Sequence, residues 1–441
     1  MKPERKIYLD MIGCRLNQSE LERIAGQVRQ AGHNLVAEIG DADVAIINTC
    51  AVTAKAASDS RQMARRGFHH GVKQVILTGC WASLDPKAAA AIPGVTDVIH
   101  NDHKDQITRY ILNPTGEPFD LEPAQRQPLP GARGRTRSFI KIQDGCNKHC
   151  TFCVTTLARG SARSEPVSQV LNEIQAALAG GAKEVILSGV HTGAWGADFK
   201  EGSSLEHLIQ TILYHTDVPR LRISSLEPWD LADSFLNLWQ DPRLCQHLHL
   251  PLQSGSSRIL KRMARNTSPQ RYRSLIQRIR QQYPRMAITT DLIVGFPGEG
   301  EREFEQSRSF VRDMEFSGGH VFTYSERPGT AASTFPNPVP NAARRERNRL
   351  MRAELEAASR KFQRAFLGQT LSVLWESVLA CDAQGWTLSG WSSEHLRVQS
   401  YGECSWRNQI HKVRITDRLE GGILNGKVIP ATFEVIQRHN P

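Results

Sequence analysis

An alternation of short apolar runs with segments of helical periodicity constrains the fold of this chain most strongly, and it begins at the N-terminus. Three such runs lie at KIYLDMIG, VAIINT and VILTG, and each precedes a segment with helical character. Strands separated by helices pair in parallel, because the helix returns the chain to the same edge of the sheet. Residues 1–112 are therefore predicted to form a parallel α/β domain.

A cysteine follows each of these three strands directly, at Cys14, Cys50 and Cys80. Open parallel sheets bind ligands beyond the carboxyl ends of their strands, so the three thiols are expected to converge. Two interpretations stay open for any one of them: a small residue in a tight turn, or a metal ligand. Because all three cysteines occupy the same position, directly after a strand, the ligand interpretation is favoured.

A second α/β unit is predicted after a proline- and glycine-rich linker at 113–138, whose composition is typical of an interdomain connection. Residues 139–367 contain six further strand candidates separated by segments with helical character, and a full eight-unit barrel usually takes about 250 residues. We therefore expect a partial (β/α)6 barrel. The six candidates are FIKIQ, EVILSGV, LRISS, HLHLPL, ITTDLIVGF and HVFTYS.

The C-terminal part is predicted to contain a long charged helix at 341–367 and then a small β-barrel at 368–441, built from short β-rich stretches. Its aromatic side chains are candidates either for stacking on unpaired bases or for the barrel core. The net charge of +10 favours a polyanionic partner. The aromatic residues are Trp375, Trp386, Trp391, Tyr401 and Trp406.

The chain has no apolar run of about 20 residues, and its start, MKPERKIYLD, is strongly charged. We expect a cytoplasmic enzyme without a membrane segment. Thiols stay reduced in that compartment, so the nine cysteines are interpreted as ligands, catalytic groups or buried residues before disulfides. Cys245, Cys381 and Cys404 stand alone and are expected to be packed or incidental.

A second cysteine triplet, Cys146, Cys150 and Cys153, lies within DGCNKHCTFC. Zinc would require a fourth ligand, for which His149 is the local candidate, although its position beside Cys150 makes joint ligation awkward. Three thiolates also suit a 4Fe-4S cluster in which one iron lacks a protein ligand and binds a small chelating molecule.

The spacing C-x-x-x-C-x-x-C on the loop after the first barrel strand resembles the radical S-adenosylmethionine superfamily. That resemblance implies that the open iron binds the amino and carboxylate groups of S-adenosylmethionine. An electron from the cluster then splits the sulfonium bond and gives a 5'-deoxyadenosyl radical. Phe152, before the last cysteine, would stack on the adenine or fill the core.

The motifs GCRLNQSE, NTCAVT, TGCWA, QDGCNKHCTFC, LSGVHTGAWG, HLHLPLQSGS, DLIVGFPGE and FTYSERPGT are similar to those of the methylthiotransferase family. The family resemblance implies that Cys14, Cys50 and Cys80 hold a second, auxiliary 4Fe-4S cluster. Two S-adenosylmethionine molecules would be used per turnover, one for the methyl group and one for the radical. The C-terminal barrel resembles the family's RNA-binding TRAM domain.

The same resemblance implies contacts to S-adenosylmethionine at the strand ends of the barrel. Each of these residues also has an ordinary structural alternative: a turn glycine, a salt-bridge partner or a cap. The candidates are Gly189, Val190, Glu227, Gln253, Asp291 and Gly295.

Two motifs, GCRLNQSE and NTCAVT, look most like the MtaB-type branch, which converts threonylcarbamoyladenosine next to the tRNA anticodon into its 2-methylthio form. The branches acting on isopentenyladenosine in tRNA or on an aspartate of a ribosomal protein are alternatives, as is a noncatalytic iron-sulfur or RNA-binding protein. The implied partners are tRNA and a flavodoxin-like or ferredoxin-like electron donor. The sequence departs from the family pattern in VTTLARG, at Trp81 and at Glu326.

Overall fold

The N-terminal domain is a five-stranded parallel sheet in the computed structural model, which describes residues 4–107, 136–383 and 385–430. Most of the linker predicted at 113–138 lies outside these ranges. The strands are β1 (Lys6–Met11), β2 (Asn34–Val36), β3 (Val44–Thr49), β4 (Gln74–Gly79) and β5 (Val95–Val98), in the spatial order β2-β1-β3-β4-β5. The helices are α1 (Arg15–Gln30), α2 (Ala54–His69), α3 (Cys80–Leu84) and α4 (Pro86–Ala90).

The apolar sequences of the central strands explain their position in this sheet. Every residue of β3 is buried, as expected for a parallel strand covered on both faces. Helix α1 buries Leu21, Ile24 and Val28 at helical spacing. The predicted parallel α/β domain is confirmed, and β1, β3 and β4, the strands that precede the three cysteines, are neighbours.

The central domain contains six parallel strands that curve into a partial barrel. The order β6-β9-β10 continues into β11-β12-β13 through isolated bridges between Leu221 and Leu244 and between Ser225 and His249. The predicted six-unit barrel is therefore confirmed. Its strands are β6 (Arg137–Lys141), β9 (Glu184–Ser188), β10 (Leu221–Ile223), β11 (His247–His249), β12 (Ala287–Val294) and β13 (Gly318–Thr323), with a small ribbon of β7 (Gln143–Asp144) and β8 (Arg163–Ser164).

Helices cover the outside of this barrel and bury a large apolar core between themselves and the strands. The segment between β10 and β11 differs from the other connections, because it forms a 3-10 helix at Asp233–Gln240. The helices are α5 (Thr155–Arg159), α6 (Val167–Ala179), α7 (Leu205–His215), α8 (Ser257–Arg262), α9 (Pro269–Gln282), α10 (Glu301–Met314) and α11 (Asn341–Arg364).

The C-terminal strands close into a barrel in the order β14-β15-β16-β18-β17. Trp375 is fully buried in its core, Trp386 and Trp406 pack against that core, and Tyr401 is 49% exposed. The predicted small β-barrel is confirmed, whereas its likeness to a TRAM domain stays a prediction. The strands are β14 (Thr370–Asp382), β15 (Gly385–Ser392), β16 (Arg397–Gly402), β17 (Ile410–Arg418) and β18 (Leu424–Val428).

Among the described residues, no helix is long and apolar enough to cross a membrane.

Candidate active site

Two glycines bring the loops of the first cysteine triplet against each other. Gly13 has φ +128°, and a Cβ atom there would lie 2.9 Å from the Cβ and 3.0 Å from the Sγ of Cys50. Gly79 has φ +97°, and a Cβ there would lie 2.3 Å from the carbonyl oxygen of Thr49. The three strand ends are therefore in close contact. The loops that carry Cys14, Cys50 and Cys80 therefore lie together at one edge of the sheet, as predicted, and their role as cluster ligands stays a prediction.

A buried arginine connects this triplet to the central domain. Arg159 donates from Nε to Cys80 Sγ at 3.3 Å and from Nη1 to Glu20 Oε1 at 2.8 Å and Asp144 Oδ1 at 2.9 Å. Lys104 also pairs with Glu20, at 2.7 Å. Burial alone would raise the pKa of Glu20, but Arg159 and Lys104 hold it well below its usual range. The network fixes the position of Cys80 relative to the second triplet.

Burial makes the neutral form of two thiols of the first triplet, Cys14 and Cys50, more favourable in the absence of a metal. The pKa of Cys50 is raised to about 11, mainly by burial and also by the nearby Cys14 and Cys80, against lowering effects of the Val52 backbone and Arg159. Cys14 is accessible from a cavity, yet its enclosed position also raises its pKa. Metal ions stabilise thiolates, so three adjacent thiols beside a guanidinium form a donor set that fits an iron-sulfur cluster.

The second triplet lies on the loop between β7 and α5. The Cys146 amide donates to the carbonyl of Gly160 at 3.1 Å, and the Cys153 amide donates to the carbonyl of Cys150 at 3.0 Å. His149, the local candidate for a zinc ligand, is exposed. No group of three His, Cys, Asp or Glu side chains in the described part of the chain is arranged to hold a single metal ion. The thiolates of a 4Fe-4S cluster bind different irons, so this finding leaves the cluster interpretation intact.

Charged side chains surround the second triplet. Arg265 lies 3.9 Å from Cys150 Sγ, donates to Glu227 at 2.9 Å and packs 4.6 Å above the Trp229 ring. Glu227 therefore stands beside the triplet, paired with Arg265.

A histidine contacts the first cysteine of this loop. His191 Nε2 lies 2.8 Å from Asp230 Oδ2, and the His191 ring is close enough to Cys146 for that thiol to affect its pKa. Burial alone would lower the pKa of His191, but these two acceptors raise it to about 9. The imidazolium form is therefore favoured beside the thiol loop.

The remaining candidates for S-adenosylmethionine contacts fall into two groups. Gly189 and Asp291 line a cavity, and Asp291 Oδ1 is a buried oxygen with no hydrogen-bond partner. The Val190 amide adjoins them and is bonded to Gln143 Oε1 at 3.0 Å. Asp291 Oδ1 can therefore accept a hydrogen bond from a ligand, whereas the Val190 amide is already engaged by Gln143.

The second group has structural surroundings. Gln253 adopts φ +72° and bridges to Leu292 on β12. Phe152 packs against an apolar cluster that contains Phe296, and a Cβ at Gly295 would lie 2.4 Å from Arg344. The roles of these residues toward S-adenosylmethionine stay predictions.

A cavity of about 750 Å³ joins the three parts of the molecule. Cys14 and Cys50 line it from the N-terminal domain, and Asp291 lines it from the carboxyl half of β12. Trp391 and His395 complete it from the C-terminal barrel, and their rings stack 4.7 Å apart. A substrate in this cavity could therefore contact the first cysteine triplet, the partial barrel of the central domain and the C-terminal barrel at the same time.

Sequence reasoning missed Arg159, Arg265 and the part of the C-terminal barrel in the cavity wall. Arg159 lies in the quoted segment VTTLARG, and a buried arginine 15 residues after Asp144 gives no local signal of its partners. Arg265 has no motif of its own. Contacts between residues distant in sequence form only when the domains pack together.

The chain matches two known families over the domains just described. The Radical SAM superfamily matches residues 140–311, and the Uncharacterized protein family UPF0004 matches residues 6–101. A radical S-adenosylmethionine methyltransferase, TsrM, from Kitasatospora setae has a similar fold, with a TM-score of 0.56 and 12% identity over 75% of this chain and 77% of that chain. The central domain is therefore a radical S-adenosylmethionine domain, which implies one 4Fe-4S cluster and S-adenosylmethionine.

Relatives that match nearly the whole chain define the class of enzyme more closely. The threonylcarbamoyladenosine tRNA methylthiotransferase MtaB of Bacillus subtilis is 32% identical over 92% of each chain, and that of Thermotoga maritima is 33% identical over 96% of each. A tRNA-2-methylthio-N(6)-dimethylallyladenosine synthase of Anoxybacillus flavithermus is 30% identical over 98% of this chain and 84% of its own. The chain belongs to the radical S-adenosylmethionine methylthiotransferase family, and it is an enzyme of that class.

Proposed function

We propose that this enzyme methylthiolates carbon 2 of threonylcarbamoyladenosine next to the anticodon of tRNA. The observation that carries the proposal is the shared cavity, which joins Cys14 and Cys50 to Gly189, just after β9, and to Asp291, within the carboxyl half of β12. Relatives from three organisms, 32–34% identical to this chain, are named for this substrate. The partners are tRNA and a reducing electron donor.

The two cysteine triplets have different roles in the proposed reaction. Cys146, Cys150 and Cys153 would hold the 4Fe-4S cluster that activates S-adenosylmethionine, and Cys14, Cys50 and Cys80 would hold the auxiliary cluster. When bound, these groups supply the sulfur, the methyl group and the radical that removes the hydrogen from carbon 2. Such a hydrogen is not acidic enough for a side-chain base, which explains why the chain needs cofactors for this step.

Side chains of the protein position these groups. Arg159 fixes Cys80 through a buried network, and Arg265 holds Glu227 beside Cys150. The unpartnered Oδ1 of Asp291 offers an acceptor to a polar group in the cavity.

Mass spectrometry of tRNA nucleosides tests the substrate. Cells lacking this enzyme should accumulate threonylcarbamoyladenosine and lose its 2-methylthio form, and the wild-type gene should restore the product. Cys14→Ala or Cys146→Ala should fail to restore it, whereas Cys381→Ser, which changes an exposed cysteine outside both triplets, should succeed. Loss of 2-methylthio-isopentenyladenosine instead would transfer the function to that substrate. Unchanged tRNA would contradict a tRNA substrate altogether.

Iron analysis tests the second cluster separately. Anaerobically reconstituted wild-type protein should bind about eight iron atoms per chain, because each cluster contains four. Replacement of either complete triplet by alanine should reduce this to about four. A wild-type content of about four would refute the auxiliary cluster.

A further inference from the structure

The charged side chains that line the cavity differ in their pairing. Asp291 Oδ2 lies 3.3 Å from His249 Nε2, and Arg397 donates from Nε to Ser389 Oγ at 3.1 Å. Arg15 also lines the cavity, but it has no hydrogen-bond or ion-pair partner among the described residues. Its guanidinium lies 5.9 Å from the centre of the Phe139 ring. Among the described residues, Arg15 is thus an arginine of the cavity with neither a counter-ion nor a hydrogen-bond acceptor, whereas Arg397 has a hydroxyl acceptor.

Glu184, a carboxylate close enough to act on Arg15, is already engaged by other arginines, and so is Glu376, which pairs with the neighbouring Arg137. Glu184 pairs at 2.8 Å with both Arg220 and Arg222, and Glu376 pairs with Arg137. The Arg137 and Arg222 guanidinium groups are close enough to Arg15 to repel it. Arg15 is exposed to the cavity and lies among like charges, so an anionic ligand there would give it a counter-ion and relieve the repulsion.

We propose that Arg15 binds a carboxylate on the modified base of the RNA substrate. The inference rests on the proposed function, in which the base carries a threonylcarbamoyl group with a free carboxylate. A guanidinium matches the two oxygens of a carboxylate with two parallel hydrogen bonds. An isopentenyl group would leave Arg15 unpaired, so the same residue disfavours that substrate.

The position of Arg15 in the chain agrees with the chemistry of adenine. Carbon 2 and the carbon that bears N6 both adjoin ring nitrogen N1, so a substituent on N6 leaves the base on the same edge as carbon 2. Cys14, one residue away, belongs to the triplet proposed to supply the sulfur. A side chain next to that triplet therefore faces the edge of the base that carries both the reacting carbon and the carboxylate.

Binding measurements with three RNAs test this assignment on the reconstituted enzyme. Anticodon stem-loops carry threonylcarbamoyladenosine, its threoninamide analogue in which an amide replaces the carboxylate, or unmodified adenosine. Fluorescence anisotropy should show that the wild-type enzyme prefers the carboxylate to the amide by about tenfold, as expected for a charge-assisted hydrogen bond. Arg15→Gln should reduce this preference below about twofold, Arg15→Lys should retain part of it, and affinity for unmodified RNA should not change.

Arg397→Gln is the matched control, because it removes another cavity arginine that already has a partner; the preference should persist. Equal weakening of all three RNAs by Arg15→Gln would indicate a backbone phosphate, and weaker S-adenosylmethionine binding with an intact RNA preference would indicate the cofactor's carboxylate. Either result overturns the inference. The inference is also overturned, without any variant, if the wild-type enzyme binds the threonylcarbamoyladenosine RNA and its threoninamide analogue with equal affinity.

Failure of the proposed function gives a different result. In that case the wild-type enzyme would modify an isopentenyladenosine stem-loop and leave the threonylcarbamoyl stem-loop unmodified. Turnover of the threonylcarbamoyl RNA with an unchanged preference in Arg15→Gln would overturn only the role of Arg15.

Discussion

At the scale of single residues, Gly79 shows how the sequence prepares the site before any metal is present. Its φ of +97° and ψ of −179° lie in a region that is essentially restricted to glycine. A Cβ there would also lie 2.3 Å from the Thr49 carbonyl oxygen and 2.5 Å from Asn48 Oδ1. The Gly-Cys pair at the end of β4 is therefore a single unit, in which the glycine allows the cysteine to follow the strand directly.

Replacement of Gly79 by alanine should destabilise the enzyme by about 3 kcal/mol or more, because backbone strain and a backbone clash act together. The melting temperature and the iron content after reconstitution measure the effect, and both should fall. Gly71→Ala is the matched control: Gly71 also has positive φ, +70°, but nothing lies within 4 Å of a Cβ there. It should cost only about 1 kcal/mol. Equal losses in the two variants would exclude the clash at Gly79.

At the scale of secondary-structure elements, Glu184 at the start of β9 organises the contact between the radical domain and the C-terminal barrel. It is completely buried between Arg220 and Arg222. Arg222 also donates to the carbonyls of Ser392 at 3.1 Å and Ser393 at 3.2 Å, at the end of β15. Burial alone would raise the pKa of Glu184, but the two arginines hold it far below its usual range. One carboxylate thus supports the docking of two domains.

The stability of the enzyme should depend on Glu184 in a pH-dependent way. A carboxylate with a lowered pKa in the folded state contributes its full stability above the unfolded value of about 4.3 and loses it as the pH falls further. Glu184→Gln should therefore destabilise the enzyme at pH 7 by about 3 kcal/mol, because it leaves buried arginines uncompensated. The difference from wild type should shrink below about pH 4.

Urea unfolding midpoints at pH 7 and at lower pH measure this difference. Glu346→Gln serves as the control, since Glu346 forms an exposed pair with Arg349 and the variant should unfold like wild type at both pH values. A Glu184→Gln variant as stable as wild type at pH 7 would contradict the proposed role of the carboxylate.

At the scale of the whole molecule, the three domains contribute to one cavity and the chain carries a net charge of +10. The C-terminal barrel does more than extend the chain, because Trp391 and His395 form part of the cavity wall. Long-range electrostatic attraction would then favour binding of the RNA backbone.

Affinity for tRNA should decrease as the salt concentration rises. Each neutralised phosphate contributes about 0.7–0.9 to the negative slope of log K against log salt concentration, so we expect a slope steeper than about −2. Fluorescence anisotropy over a potassium chloride series measures it, and S-adenosylmethionine binding in the same series provides the comparison without RNA. A slope near zero would contradict a contribution of the basic surface to tRNA binding.

Local sequence patterns were sufficient for much of the fold. All six strand candidates of the central domain are strands, because short apolar runs between helical segments have few other ways to bury their side chains. The convergence of Cys14, Cys50 and Cys80 was also predictable, since parallel strands end at the same edge. The aromatic residues of the C-terminal barrel were less predictable: Trp375 is core, whereas Trp391 lines the cavity, and the sequence around each is similar in character.

The sequence alone determined the two cysteine triplets, the three architectures and the family resemblance, because spacing and periodicity are local properties of the chain. Only the tertiary structure decided which side chains meet across domains. Arg159 reaches Cys80, 79 positions earlier, and Arg222 reaches Ser392, 170 positions later. The tertiary structure also places Arg15 in the cavity without a counter-ion, because Glu184 is shared by two other arginines. Charge pairing depends on distances between atoms, and these are set when the domains pack.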